Sequence, residues 1–183
     1  KISRLKSGLK TIEKQRIIQR NGREHAYRIA LVGYTNAGKS TLMNTLTGAG
    51  VWVQNQLFAT LDTTTRKLDI DVGMPVLISD TVGFIRNLPH NLIASFRSTL
   101  GEIRDVDMLL KVYDASSENI LDHIDTVEEV LKEMDIPSKK SIMVLNKIDA
   151  ISEPDILPGL KVRFKNATLI SSLNYVGIDN LNN

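Results

Sequence analysis

The chain contains no cysteine, three histidines and one tryptophan, with four tyrosines and four phenylalanines as its other aromatic residues. Without cysteine there is no disulfide framework and no thiolate metal centre, which suits a reducing cytosol. His25, His90 and His123 are scattered with no ligand spacing and are read as surface or turn residues. Trp52 and Tyr34 are expected to be packing residues rather than base-stacking platforms. No segment approaches the run of about 18 apolar residues that a membrane-spanning helix needs. Internal repeats and low-complexity segments are also lacking. What remains, 42% hydrophobic and 24% charged residues over 183 positions, is one ordinary globular domain with room for an arm. A cytoplasmic monomer is expected, with a peripheral membrane location left open.

Charge of one sign is scarce in the first segment. Residues 1–28 carry nine basic side chains against two acidic ones, a net +7, which leaves −5 for the rest of a chain whose total is +2. Ile2, Leu5, Leu9 and Ile12 alternate at steps of three and four, the seam of an amphipathic helix that needs a partner. Asn21-Gly22 ends that helix. The expected division is a basic helical arm over 1–24 and a domain over 25–183, with the arm's Lys and Arg either solvated or in contact with nucleic acid.

The domain is organised around Gly33-Tyr34-Thr35-Asn36-Ala37-Gly38-Lys39-Ser40-Thr41, which fits the pattern G-x-x-x-x-G-K-[ST]. A chance match in a chain this long has a probability of about one per cent or less on average residue usage. The apolar run 28–32 precedes it as a strand, and residues 40–46 follow as the first turns of a helix. Such a loop turns unpaired backbone N–H groups toward phosphate, with Gly33 and Gly38 admitting close approach. Lys39 supplies a point charge for the β- and γ-phosphates, and Ser40 a hydroxyl for Mg²⁺.

Further along, residues 48–56 are expected as loop, and residues 57–66 are dense in hydroxyls. Lys67 to Val72 and Pro75 to Asp80 form an expected antiparallel hairpin at a sheet edge. Leu92, Ile93, Phe96, Leu100 and Ile103 mark a helix over 91–104. Met108 to Asp114 is a strand, Ile120, Ile124, Val127, Val130 and Leu131 outline a helix, and 141–145 is a strand. A short helix is expected after Pro158, a last short strand over 167–170, and the start of another helix at 177–181, so that the domain lacks its final helix. Strands alternating with helices give an α/β, doubly wound, mostly parallel sheet of P-loop type with one antiparallel edge strand.

Ligands of such sheets gather at the carboxyl ends of the strands. Asp80-Thr81-Val82-Gly83 falls at one end, with Asp80 on the Mg²⁺ side and the Gly83 N–H able to sense a γ-phosphate. Asn146-Lys147-Ile148-Asp149 falls at another. A carboxylate there matches the paired N–H donors of guanine, which adenine lacks, so GTP and GDP are the expected ligands. Ser171-Ser172-Leu173 would add backbone contacts to the base.

The loop string, Leu57-Phe58-Ala59-Thr60-Leu61-Asp62, and Asp80 to His90 resemble the HflX family of translation-factor-related GTPases, from about Arg28 to Leu173. The basic helix resembles the end of that family's helical domain. The resemblance implies a GTPase that binds the large ribosomal subunit and its RNA and dissociates stalled ribosomes under stress. It places the Mg²⁺-binding threonine of the switch loop at Thr60, so that Lys39 and Thr60 are the candidate catalytic residues. Thr63 stands where many relatives carry proline. Phe84 occupies the position of a water-orienting glutamine in better-known GTPases, so slow hydrolysis is expected. Asn36 matches an asparagine that coordinates K⁺ in potassium-activated relatives. The expected output surface is 84–96 with 52–66. Two rivals stand beside this reading: an adenine-nucleotide kinase, which Asn146 to Asp149 argue against, and an RNA-binding module with structural nucleotide, which the arm favours.

Overall fold

Successive apolar residues of β1 (Tyr27–Gly33) point to opposite sides, and both sides are buried: Ile29 and Leu31 join one core, Ala30 and Val32 the other. A strand covered on both faces belongs in the middle of a parallel sheet. The computed structural model describes residues 26–48, 63–70, 74–81, 83–84, 101–136 and 138–181. It sets β1 between β3 (Val76–Asp80) and β4 (Met108–Asp114), with β2 (Thr64–Leu68) beyond β3, and β5 (Lys140–Asn146) and β6 (Thr168–Leu169) beyond β4. The order is β2-β3-β1-β4-β5-β6; β2 pairs antiparallel with β3, and the other pairings are parallel. This is the α/β sheet with one antiparallel edge strand that the alternation of elements predicts.

Helices close the two faces. α1 (Lys39–Thr47) lays Leu42 and Met43 on the Ile29 and Leu31 side. α2 (Ile120–Glu133) lays Ile120, Val127 and Leu131 on the other, and α3 (Ile156–Arg163) adds Leu160 there. Each large side chain removed from water in this way stabilises the fold by about 1.5–3 kcal/mol before the cost of ordering it. Among the described residues, no helix is long and apolar enough to cross a membrane.

Four elements differ from expectation. β2 runs Thr64–Leu68 rather than from Lys67, so the strand takes in the end of the hydroxyl-dense segment. β-branched threonines suit a pleated edge, and Thr65 and Ser79 share a cross-strand hydroxyl hydrogen bond of 2.8 Å. α3 starts at Ile156, two residues before Pro158. Proline is admissible there because a first-turn N–H has no helical acceptor to lose. Gly101–Asp105, at the end of the helix expected over 91–104, is a 3₁₀ turn, and the segment after Gly177 is likewise a 3₁₀ turn, Ile178–Leu181.

Several expectations lie outside the described residues: the arm over 1–24, His25, Trp52, the switch loop Phe58, Ala59, Thr60, Leu61 and Asp62, Val82, His90, the helix up to residue 100, and the output segments 52–62 and 85–96.

Candidate functional site

The phosphate loop leaves the carboxyl end of β1 at Gly33 and enters α1 at Lys39. Gly38 sits at φ 90°, a left-handed conformation, and a Cβ there would collide with the Asn146 side-chain amide. Only glycine satisfies both conditions. Asn36 is also left-handed, at φ 60°, and exposed; asparagine is among the few residues that tolerate this. Lys39 is buried and folds along the loop, its Nζ donating to the carbonyls of Gly33 at 3.2 Å and Tyr34 at 3.0 Å. Burial lowers its pKa from 10.5 to about 8, partly opposed by the charge of Asp80.

Asp80 arrives from the neighbouring strand, because β1 and β3 pair in parallel with Leu31 opposite Asp80. Its Oδ2 accepts from Ser40 Oγ at 2.5 Å. Thr81, buried, donates to the Leu31 carbonyl at 2.6 Å and ties the strand end down. A hydroxyl and a carboxylate side by side at a phosphate loop form an all-oxygen donor set of the kind Mg²⁺ takes, so the residues present fit that ion. Among the described residues no group of three or more His, Cys, Asp or Glu side chains could hold a metal by itself.

Gly83 packs so close to the loop that a Cβ would lie 2.6 Å from Thr35 Cα and 3.1 Å from Lys39 Nζ. The next residue corrects part of the expected output surface. Phe84 is 0% exposed, within the core on the α2 side. Its backbone extends the sheet: Phe84 N donates to Gly33 O at 3.0 Å, and Thr35 N to Phe84 O at 2.8 Å. An aromatic ring beside an apolar core is drawn inward, and the segment that follows Gly83 thereby starts bonded to the phosphate loop.

Asn146 ends β5, 2% exposed. Its amide donates to Ala37 O at 3.0 Å, while its Oδ1 accepts from Ser172 N at 3.0 Å and Ser172 Oγ at 2.9 Å. Lys147 follows in a left-handed conformation, φ 64°, and pairs with Asp114 at 2.8 Å. Asp149 lies exposed in the 3₁₀ turn Ile148–Ala150. Ser171 and Ser172 are buried, whereas Leu173 is 69% exposed. Thr45 of α1 donates to Ser172 O at 2.8 Å and to Thr41 O at 3.0 Å, so the helix after the phosphate loop also holds the loop after β6.

The structure therefore brings Gly33, Asn36, Ala37, Gly38, Lys39, Ser40, Thr41, Asp80, Thr81, Gly83, Asn146, Lys147, Asp149, Ser171 and Ser172 to the carboxyl ends of β1, β3, β5 and β6. Sequence reasoning missed Asp114, whose signal was available: it closes another strand of the same sheet. It also missed His123, which is no turn residue. His123 lies on α2 and stacks on Tyr34, ring centroids 3.9 Å apart and planes 11° apart.

Comparison with known proteins agrees with this geometry. A family model described as 50S ribosome-binding GTPase matches residues 28–147. GTPase HflX of Flavobacterium psychrophilum is 53% identical over 150 residues, 82% of this chain and 36% of that protein. GTPase HflX of Caldanaerobacter subterraneus subsp. tengcongensis is 44% identical over 183 residues, 99% of this chain and 41% of that protein. The chain thus spans well under half the length of these relatives. Among solved structures, a GTP-binding protein from Sulfolobus solfataricus in complex with GDP superposes with a TM-score of 0.64 at 26% identity, covering 98% of this chain and 55% of that one.

Proposed function

Since this chain belongs to the HflX family of GTPases, we propose that it is a GTP-dependent switch with slow intrinsic hydrolysis that acts on the large ribosomal subunit. In this reading the amides of the 33–41 loop and Lys39 bind the phosphates, Ser40 and Thr60 hold Mg²⁺, and Asp80 holds a water on that ion. The bound ion supplies positive charge to the β- and γ-phosphate oxygens. Asn146 and Asp149 select guanine, Lys147, Ser172 and Leu173 line the base, and Gly83 senses the γ-phosphate. Lys39 and Thr60 stabilise the transferring group, and no glutamine assists because position 84 is phenylalanine.

The observation that carries this reading is the bonded convergence of two strand ends, those of β3 and β5, on one loop: Asp80 to Ser40, Phe84 to Gly33 and Asn146 to Ala37. Binding energy at the γ-phosphate side can be transmitted to the segment after Gly83 because Phe84 is the next residue in that chain of contacts. The ribosomal part draws its support from the description of the matching family model.

Under the same proposal, residues 1–24 form a basic arm and residue 25 opens the GTPase domain. The protein works as a cytoplasmic monomer. The test is GTP hydrolysis with and without purified large ribosomal subunits, using Asp149→Asn as the control for base choice. Stimulation that is lost with GTP and regained with xanthosine triphosphate in the variant supports both parts; lack of stimulation removes the ribosomal partner, and GTP use by the variant equal to that of the parent removes the base assignment.

A further inference from the structure

Tyr34 is the residue at which the phosphate loop meets its surroundings. Its carbonyl accepts from Lys39 Nζ at 3.0 Å and from Ala37 N at 3.3 Å. Its backbone forms a parallel bridge with Phe84. Its ring, half-buried against the core on the α2 side, is covered by the imidazole of His123 at 3.9 Å. The loop on which Tyr34 stands is held in conformations that ordinary residues avoid: Asn36 and Gly38 are both left-handed. Such a backbone keeps its geometry only where its surroundings over-determine it.

We propose that His123 is a positioning residue for nucleotide binding: by stacking on the Tyr34 ring it fixes the peptide whose carbonyl places the Lys39 ammonium. The proposal deepens the reading of this site as a GTP site and rests on it. His123 itself touches no part of the phosphate loop backbone through a hydrogen bond, so its influence passes through the aromatic contact alone. Burial lowers its pKa, against the opposing charges of Asp114 and Asp122, which favours the neutral ring. A neutral imidazole stacks face to face with a phenol as a π-system, and phenylalanine at that position supplies the same face without titration.

This assigns α2, which contributes no residue to the phosphate, metal or base contacts, a direct mechanical link to them. The link is two rings long. It would also explain why a histidine stands on the otherwise acidic first two turns of α2, between Asp122 and Asp125.

The experiment titrates a fluorescent GDP analogue into the full chain carrying His123→Ala, His123→Phe, Tyr34→Ala or His123→Ala with Tyr34→Ala, each checked for the parental circular dichroism spectrum. His123→Ala is expected to weaken binding by about three- to tenfold, the range set by one aromatic pair. His123→Phe restores affinity to within about twofold of the parent, and the double variant binds no worse than Tyr34→Ala alone. Unchanged affinity in His123→Ala, an equal loss in His123→Phe, or losses that add in the double variant overturn the proposal. A parent that fails to bind guanine nucleotide at all overturns the functional reading instead. If His123→Ala does not fold, His123→Leu takes its place: it keeps the bulk, lacks the ring face, and must show the same loss.

Discussion

Asn146 and Ala37 lie 109 positions apart and are joined by a buried 3.0 Å hydrogen bond from the asparagine amide to the alanine carbonyl. One side chain thereby ties the expected base-reading element to the phosphate loop, and through its Oδ1 to Ser172 as well. The distance between the expected base-reading element and the phosphate loop is thus a property of the folded chain rather than something a ligand must impose.

Replacing Asn146 by alanine leaves the Ala37 carbonyl and the Ser172 N–H without these partners in a buried setting. Each such group costs about 1–3 kcal/mol, so Asn146→Ala should lose roughly 2–6 kcal/mol of stability along with most of its affinity for guanine nucleotides. Urea unfolding followed by circular dichroism measures the first, and nucleotide titration the second. A parental unfolding midpoint would show that the three bonds contribute nothing net.

Lys39 yields a proton-linked prediction. Its pKa of about 8 follows from burial, partly opposed by the charge of Asp80. A polyphosphate brought against the ammonium stabilises the charged form and drives the pKa back up. Binding of GDP should therefore take up protons, about half a proton per site at pH 8 and about a tenth at pH 7. Calorimetry in buffers of different ionisation enthalpy reads this number directly. An enthalpy at pH 8 that is independent of buffer would contradict it.

Position 84 separates what could be seen in the sequence from what could not. The phosphate loop, the strand-end motifs and the alternating elements were legible because each rests on local residue order: glycine where a left-handed turn is needed, apolar pairs where both faces of a strand are covered. That Phe84 lacks a glutamine's hydrogen bonds was equally legible. That its ring enters the core and its backbone bridges Gly33 and Thr35 was not, since both depend on which strand lies beside β1. The Tyr34 and His123 stack is of the same kind: 89 positions separate the two residues, and no periodicity of either segment points to the other.

It follows that restoring glutamine at position 84 should not restore fast hydrolysis. The side chain at 84 faces the core, so Phe84→Gln buries an amide without partners and loses about 3 kcal/mol or more of stability. Its single-turnover rate should match or fall below that of the parent. A rate increase of tenfold or more in a stably folded variant would mean that residue 84 reaches the γ-phosphate.

Asn36 is exposed and left-handed within the phosphate loop, and the family resemblance makes it the candidate K⁺ ligand. If it serves as one, GTP hydrolysis in potassium buffer should exceed that in sodium buffer, and Asn36→Ala should abolish the difference while retaining the sodium rate. Equal rates for the parent in both buffers would remove the cation from the mechanism and leave Asn36 as a residue chosen for its backbone.

Asp114 is the last test, because its two roles can be separated chemically. Its Oδ1 accepts from Ser116 N at 3.0 Å and Ser116 Oγ at 2.6 Å, while its Oδ2 pairs with Lys147 at 2.8 Å. Asparagine retains a carbonyl oxygen for Ser116 and removes the charge that meets Lys147. The pair is partly exposed, with side-chain accessibilities of 28% for Lys147 and 20% for Asp114, so screening limits it to about 1 kcal/mol. Asp114→Asn should accordingly weaken GDP binding about fivefold with little change in unfolding midpoint. Lys147 is held in a left-handed conformation that costs of order 1 kcal/mol, and losing its partner frees it to leave the proposed base site. Lys147→Met should show a similar loss, and combining the two substitutions should add nothing further, since one pair is removed either way. Additive losses would mean that Asp114 and Lys147 act on the nucleotide independently, and that the ion pair between them is incidental to binding.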